Sequence, residues 1–304
     1  MSAATSAPVP ETAVPAKHSL WRALAHDRLA LACAVFLGLV LVAVIFGPWL
    51  CGDLANKIAL RGRNAPPLSL HLGWQFLLGA DTLGRSMLAR ILVGARTTIV
   101  IAGCAVLLSM TVGGLLGLFA GYVRQSISQI VMRLTDVVMS FPSLLLALVV
   151  LYLLGSSVTN VIIVLAITRV PIYLRTTRAE VMEIKQRTFI TASQTLGAGS
   201  FRIVFRHILP LVLPTLLTIA AIDFAAVVLA ESALSFLGFG VQLPDFTWGS
   251  MVAVGQSYLA SAWWISFFPG LMILLTTLSL NILGNWFRMA TDPQQRWRFT
   301  MGKP

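Results

Sequence analysis

Charge is scarce in this chain of 304 residues: Asp, Glu, Lys and Arg together make up 11% of it, where an ordinary soluble domain carries roughly a quarter. Lysine occurs four times, and only Lys303 follows a glycine, with Pro304 behind it, so no G-x-x-x-x-G-K-[ST] phosphate loop exists. The chain cannot bind ATP in that way. The histidines His18, His26, His71 and His207 fall outside the long apolar runs, and no H-E-x-x-H occurs. An intramembrane Ser/His or zinc hydrolase therefore lacks its parts, and the chain is not read as an enzyme. Cys33, Cys51 and Cys104 show no metal or redox spacing and read as packing residues. No internal repeat is visible.

What is abundant is oil. Hydrophobic residues make up 57% of the chain, and the mean hydropathy is +0.85. The net charge of +11 is spread among the stretches between apolar runs. That distribution suits anchoring at a membrane surface and not a nucleic-acid face. Six spans follow, at 29–50, 97–121, 131–155, 158–177, 211–237 and 263–287. Runs this long and continuous are helices, since a helix satisfies its own backbone in lipid. The expected fold is an all-α integral membrane bundle. Its parts are an N-terminal tail at 1–28, a first helix at 29–50, a loop and lead-in segment at 51–96, a five-helix core at 97–287 and a C-terminal tail at 288–304. The apolar run after the tail has no small-residue cleavage site and is expected to stay as an anchor.

Counting Lys and Arg on the two sides of these spans puts fifteen with the termini and six opposite, with Arg169 left inside a span. Both termini are therefore expected in the cytoplasm. The outer loop 238–262 has no Lys or Arg, whereas the inner loop 178–210 has five. Trp248, Tyr258, Trp263 and Trp264 read as an interfacial aromatic belt.

Within the spans, Ser109, Gly113, Gly117 and Gly121 recur every four residues and would let another helix approach closely. Pro142, Pro171 and Pro269-Gly270 would kink or open the third, fourth and sixth spans. Asp136, Arg169, Asp223 and Glu231 lie at membrane depth. Each costs on the order of 2.5–3.5 kcal/mol at a span centre, so each needs a partner, water or an interfacial position. A polar pathway and a set of structural pairs both fit them, and Asp223 and Glu231 are the pathway candidates.

The inner loop holds TASQTLGAGSFRIVFRHILP at 191–210. Phe189, Ala192 and Leu196 follow a 3,4 spacing, GAG at 197–199 interrupts it, and Phe201, Val204, Phe205 and Ile208 resume it with Arg202 and Arg206 on another face. Two short amphipathic helices joined at a glycine turn are expected, with Pro210 opening the next span. The pattern alone fits a docking element and a lipid-surface helix equally.

This stretch resembles the cytoplasmic "EAA" loop of ABC importer permeases. Thr191, Ala192 and Ser193 stand at the E-A-A places, Gly197 at the glycine, His207 at the isoleucine, and Leu209-Pro210 close the motif; the Glu, second Ala and Ile are absent. LGADTLGRSMLARILVGAR (78–96), MRLTDVVMSFPSLLLAL (132–148), ESALSFLGFGVQLPDFTWGSM (231–251) and ATDPQQ (290–295) are similar to segments of the dipeptide/oligopeptide/nickel permease group, specifically its C-type subunit. The resemblance implies a type I ABC importer permease fold in a prokaryotic inner or plasma membrane. It implies three kinds of partner: a second homologous permease, two ABC ATPase subunits that carry ATP-Mg, and an extracytoplasmic substrate-binding protein. This chain would itself bind no cofactor. Ala192, Ser193, Gly197, Arg202, Arg206, Leu209 and Pro210 would form the ATPase-coupling site, and the cargo would be di- or oligopeptides. The alternative is a secondary transporter driven by an ion gradient through Asp223 or Glu231.

Overall fold

A computed structural model describes Leu24 and residues 27–291. The predicted N-terminal and C-terminal tails fall almost wholly outside these residues. The described chain is helical, with no strand and one isolated bridge between Ala80 and Ser86. In chain order the helices are α1 Arg28–Asn56, α2 Met87–Tyr122, α3 Gln125–Ser140, α4 Ser143–Leu154, α5 Val158–Ile184, α6 Thr188–Thr195, α7 Ser200–Phe236, α8 Trp248–Gln256 and α9 Trp264–Thr291. Five of them, α1, α2, α5, α7 and α9, are long and apolar enough to cross a membrane, and α3 with α4 make a sixth span if the bent pair counts as one.

Short polar side chains start these helices by occupying otherwise orphaned backbone N–H groups. Asp27 accepts from the N–H of Leu29 and Ala30 before α1, Ser86 from Ala89 before α2, and Ser157 from Asn160 before α5. The third span is the one that departs from a straight rod. It bends by 85° between α3 and α4. Pro142 holds the preceding Phe141 in an extended conformation (φ −93°, ψ 138°), which ends α3 there. By contrast, helices α5 and α9 run on through Pro171 and Pro269.

The predicted small-residue face of α2 is buried against α5. A Cβ added to Gly113 would come within 2.7 Å of the Tyr173 Cβ, and one on Gly121 within 2.6 Å of the Val181 Cβ. Close backbone approach replaces hydrophobic driving force in lipid, where apolar side chains gain nothing by leaving the solvent. The charges at depth also find partners: Asp136 pairs with Arg175, and Arg169 Nη1 lies 3.4 Å from Asp223 Oδ1.

Two corrections concern the ends of the spans. Trp248 and Trp264 are not belt residues. Both are buried, and their indole N–H groups donate to the carbonyls of Ile91 (2.9 Å) and Ala80 (3.0 Å). They clamp segment 78–91 onto α8 and the start of α9; only Trp263, about half exposed, keeps a belt-like position. Next to them Asp81 accepts from the N–H of Leu83 and Arg85, pairs with Arg85 Nε at 2.6 Å, and has Arg90 at 3.9 Å, itself 4.0 Å over the Phe246 ring. This knot lets α2 begin at Met87, ten residues before the predicted span.

Candidate functional site

The segment between α5 and α7 lies on the side of the bundle where α1 begins. Its base is fixed by the end of α5: Lys185 Nζ donates to the Tyr122 carbonyl at the end of α2 (2.8 Å), and Arg187 Nη2 bonds Glu183 Oε1 (2.9 Å). Helix α6 follows at once and is eight residues long.

The turn after α6 explains its glycine. The Gly197 N–H bonds the Gln194 carbonyl and the Ala198 N–H bonds the Ser193 carbonyl, both at 3.0 Å, a paired closure of the helix end that needs a left-handed residue. Gly197 has φ +83°, and a Cβ there would meet nothing within 4 Å. The glycine is thus required first by backbone conformation. Gly199 has open space too, without that requirement.

After the turn, the expected second short helix does not stop before Pro210. It runs without interruption into the membrane as α7, through a π-helical stretch at Ile203–Ile208. The Leu209 N–H bonds the carbonyl of Val204, five residues back. Pro210 has no N–H to offer Arg206 and its ring crowds that carbonyl, so a locally wider turn accommodates it.

The apolar pattern of the segment divides differently from the sequence reading. Phe189, Ala192 and Leu196, the predicted apolar face of α6, are exposed, Leu196 by 89%, and Phe201 by 76%. The residues that root the segment are Ile190, Ile203 and Ile208, all at 1% or less, packed with Leu118, Tyr173, Val181 and Val212. Phe201 and Phe205 stack 4.5 Å apart, and with Leu115, Phe119 and Tyr122 they line a groove of about 310 Å³ at the end of α2. Arg202 and Arg206 are exposed, Leu209 and Pro210 sit where the knob meets the membrane helix, and Ser193 is half-buried. The structure thus brings Ala192, Ser193, Gly197, Arg202 and Arg206 together on one knob, with Leu209 and Pro210 at its junction with the membrane-spanning part of α7. Of the isoleucine root, the sequence reading placed only Ile208 on the apolar face; Ile190, Ile203 and the Lys185 tie escaped it.

Asp223 and Glu231 lie elsewhere, near the middle and the far end of α7, two turns apart. Asp223 is held by Arg169 and by the Tyr173 hydroxyl, which donates to it at 3.1 Å. Glu231 is fully buried within the chain. It accepts from the Ser235 hydroxyl at 2.7 Å, and Ser235 lies 3.2 Å from Thr247, the N-cap of α8. Among the described residues no group of three His, Cys, Asp or Glu could hold a metal.

A tightly packed bundle of apolar helices, with an ion pair inside it and a structured knob between two spans, defines a multi-pass membrane protein. The chain belongs to the family of binding-protein-dependent transport system inner membrane components, whose family model matches residues 113–297. A second model, the N-terminal transmembrane domain of oligopeptide transport permease C, matches residues 18–67. Over 275 residues the chain is 38% identical to a di/tripeptide transport system permease protein of Pseudomonas aeruginosa (strain UCBPP-PA14), covering 90% of this chain and 91% of that one. It is 33% identical over 299 residues to a dipeptide transport system permease protein of Alkalihalophilus pseudofirmus, 97% of each chain. It is 34% identical over 275 residues to a glutathione transport system permease protein of Pectobacterium atrosepticum, 90% of each. It is a multi-pass inner-membrane permease of the ABC importer class.

Proposed function

We propose that this chain forms half of the translocation pathway of an ATP-driven importer of di- or oligopeptides, and that the knob at 189–206 couples it to ATPase subunits. The observation that carries the reading is the exposure of Leu196 and Phe201 on a knob whose isoleucines are rooted in the bundle. Exposed apolar residues on a rigid base cost free energy unless a partner covers them. Arg202 and Arg206 flank this tip and suit acidic groups at the rim of a partner's groove. Names of relatives that carry dipeptides, tripeptides and glutathione support the peptide class.

On this reading both termini and the knob are cytoplasmic, in keeping with fifteen Lys and Arg on that side against six. The partners are a second homologous permease, two ABC ATPases that hold ATP-Mg, and an extracytoplasmic binding protein. The knob transmits motion because it is continuous with α7: closing of the ATPases displaces residues 189–206, and the 37-residue helix carries the displacement across the membrane as a rigid body. Asp223 and Glu231 lie on that same helix and would move with it along the pathway. Reconstitution tests the whole: uptake of labelled dialanine should require ATP and the ATPase subunits. Uptake by this chain alone, collapsing with an ion gradient, would overturn the proposal.

A further inference from the structure

Resting on that reading, we infer that Arg169 lines the water-filled pathway and receives the carboxylate end of a zwitterionic substrate. Arg169 is eleven residues from the start of α5, or about 16 Å along its axis, and Asp223 is thirteen from the end of α7, or about 20 Å. Both sit deep in a hydrocarbon core about 30 Å thick. Asp223 is 5% exposed, but the Arg169 side chain is 25% exposed. A guanidinium at that depth cannot face lipid tails, so water or protein covers it.

Two observations favour water. The Arg169–Asp223 pair is already neutral and uses Nη1 alone, at 3.4 Å, so a dry protein cover would have to satisfy the remaining N–H groups of the guanidinium or leave them bare. Arg169, Thr176, Glu180 and Glu183 lie at steps of seven, four and three, which lines them on one face of α5, with Tyr173 buried beside them against α2. That polar stripe runs about 21 Å from mid-span to the knob end of the helix. Towards the other end the same line is apolar, at Ile162 and Ala166. On the same face, Glu180 Oε2 is buried without a hydrogen-bond partner, an unpaired acceptor suited to an ammonium donor. With spare guanidinium donors at mid-span and carboxylates towards its exit, the stripe matches a solute carrying both a carboxylate and an ammonium. Arg169 is the anchor because its planar fork can donate two parallel hydrogen bonds to a carboxylate.

The test uses the assembled importer in proteoliposomes. In a chain with Cys33, Cys51 and Cys104 replaced by alanine, Thr176→Cys should react with a charged, membrane-impermeant thiosulfonate at least tenfold faster than Leu107→Cys on the apolar outside of α2. Equal rates, or cross-linking of Thr176→Cys to the second permease, would overturn the inference. Arg169→Gln should raise the KM for dialanine uptake at least tenfold, with Arg169→Lys between it and the parent. An unchanged KM would also overturn it. If the parent importer shows ATP-driven uptake and these variants fail the tests, this inference alone falls; if the parent shows none, the importer reading falls and takes this one with it.

Discussion

A Cβ on Gly117 would lie 2.5 Å from the Cβ of Thr177, so α2 and α5 cross with bare glycine backbone against a threonine side chain. The Leu174 carbonyl is 2.7 Å from the same point. Nothing at this crossing can yield, because both elements are long membrane helices. Gly117→Val should therefore destabilise the chain by at least the ~1–3 kcal/mol typical of overpacking. A lowered thermal midpoint in detergent would show it, while Gly38→Val, where a Cβ meets nothing within 4 Å, should leave the midpoint unchanged.

The two glycines of the knob should respond differently. Gly197→Ala forces a side chain into φ +83°, at a cost of about 1 kcal/mol, and should loosen the end of α6. Gly199→Ala, with ordinary backbone and the same open space, should be silent. Amide exchange at Gly197 and Ala198 reads the difference directly. Equal protection in both variants would contradict the helix-closing role of Gly197.

Glu231 ties α7 to the N-cap of α8 through Ser235 and Thr247. Glu231→Gln keeps an acceptor oxygen and should retain most of the stability. Glu231→Leu strands buried hydroxyls and should cost about 1–3 kcal/mol. Hydrogen exchange at Trp248 to Met251 should accelerate in the leucine variant and stay close to the parent in the glutamine one.

Asp81 holds two arginines and two backbone N–H groups in one knot. Asp81→Asn should release Arg85 and leave Arg90, 6% exposed, without its carboxylate. Because a buried charge stripped of its partner costs several kcal/mol, segment 57–86 should become sensitive to protease at concentrations that spare the parent. Unaltered digestion would show the knot to be dispensable.

How much of this could be read from sequence depends on the feature. The spans were legible because lipid demands continuous apolar helices, and the small-residue face of α2 because a period of four has one meaning in a helix. Pro142 announced a kink, though not that the kink would reach 85°. The role of Trp248 and Trp264 was not legible, since a belt residue and a clamp have the same composition. What separates them is a carbonyl 157 or 184 residues away in the chain. The knob was half legible. Its glycine turn was plain, but its apolar residues divide into a root (Ile190, Ile203, Ile208) and an exposed tip (Leu196, Phe201). A face that packs inward and one that stays exposed obey the same periodicity, and only burial distinguishes them.

The most direct measurement is co-purification of the ATPase subunits with Leu196→Asp, beside Leu107→Asn as a control for a change on the apolar bundle surface. Burying a leucine at an interface is worth about 1.5–3 kcal/mol, so Leu196→Asp should weaken ATPase binding at least tenfold and abolish ATP-driven uptake while the chain still inserts and folds. Full retention of ATPase binding and uptake with an aspartate at the tip would contradict the coupling role of the knob.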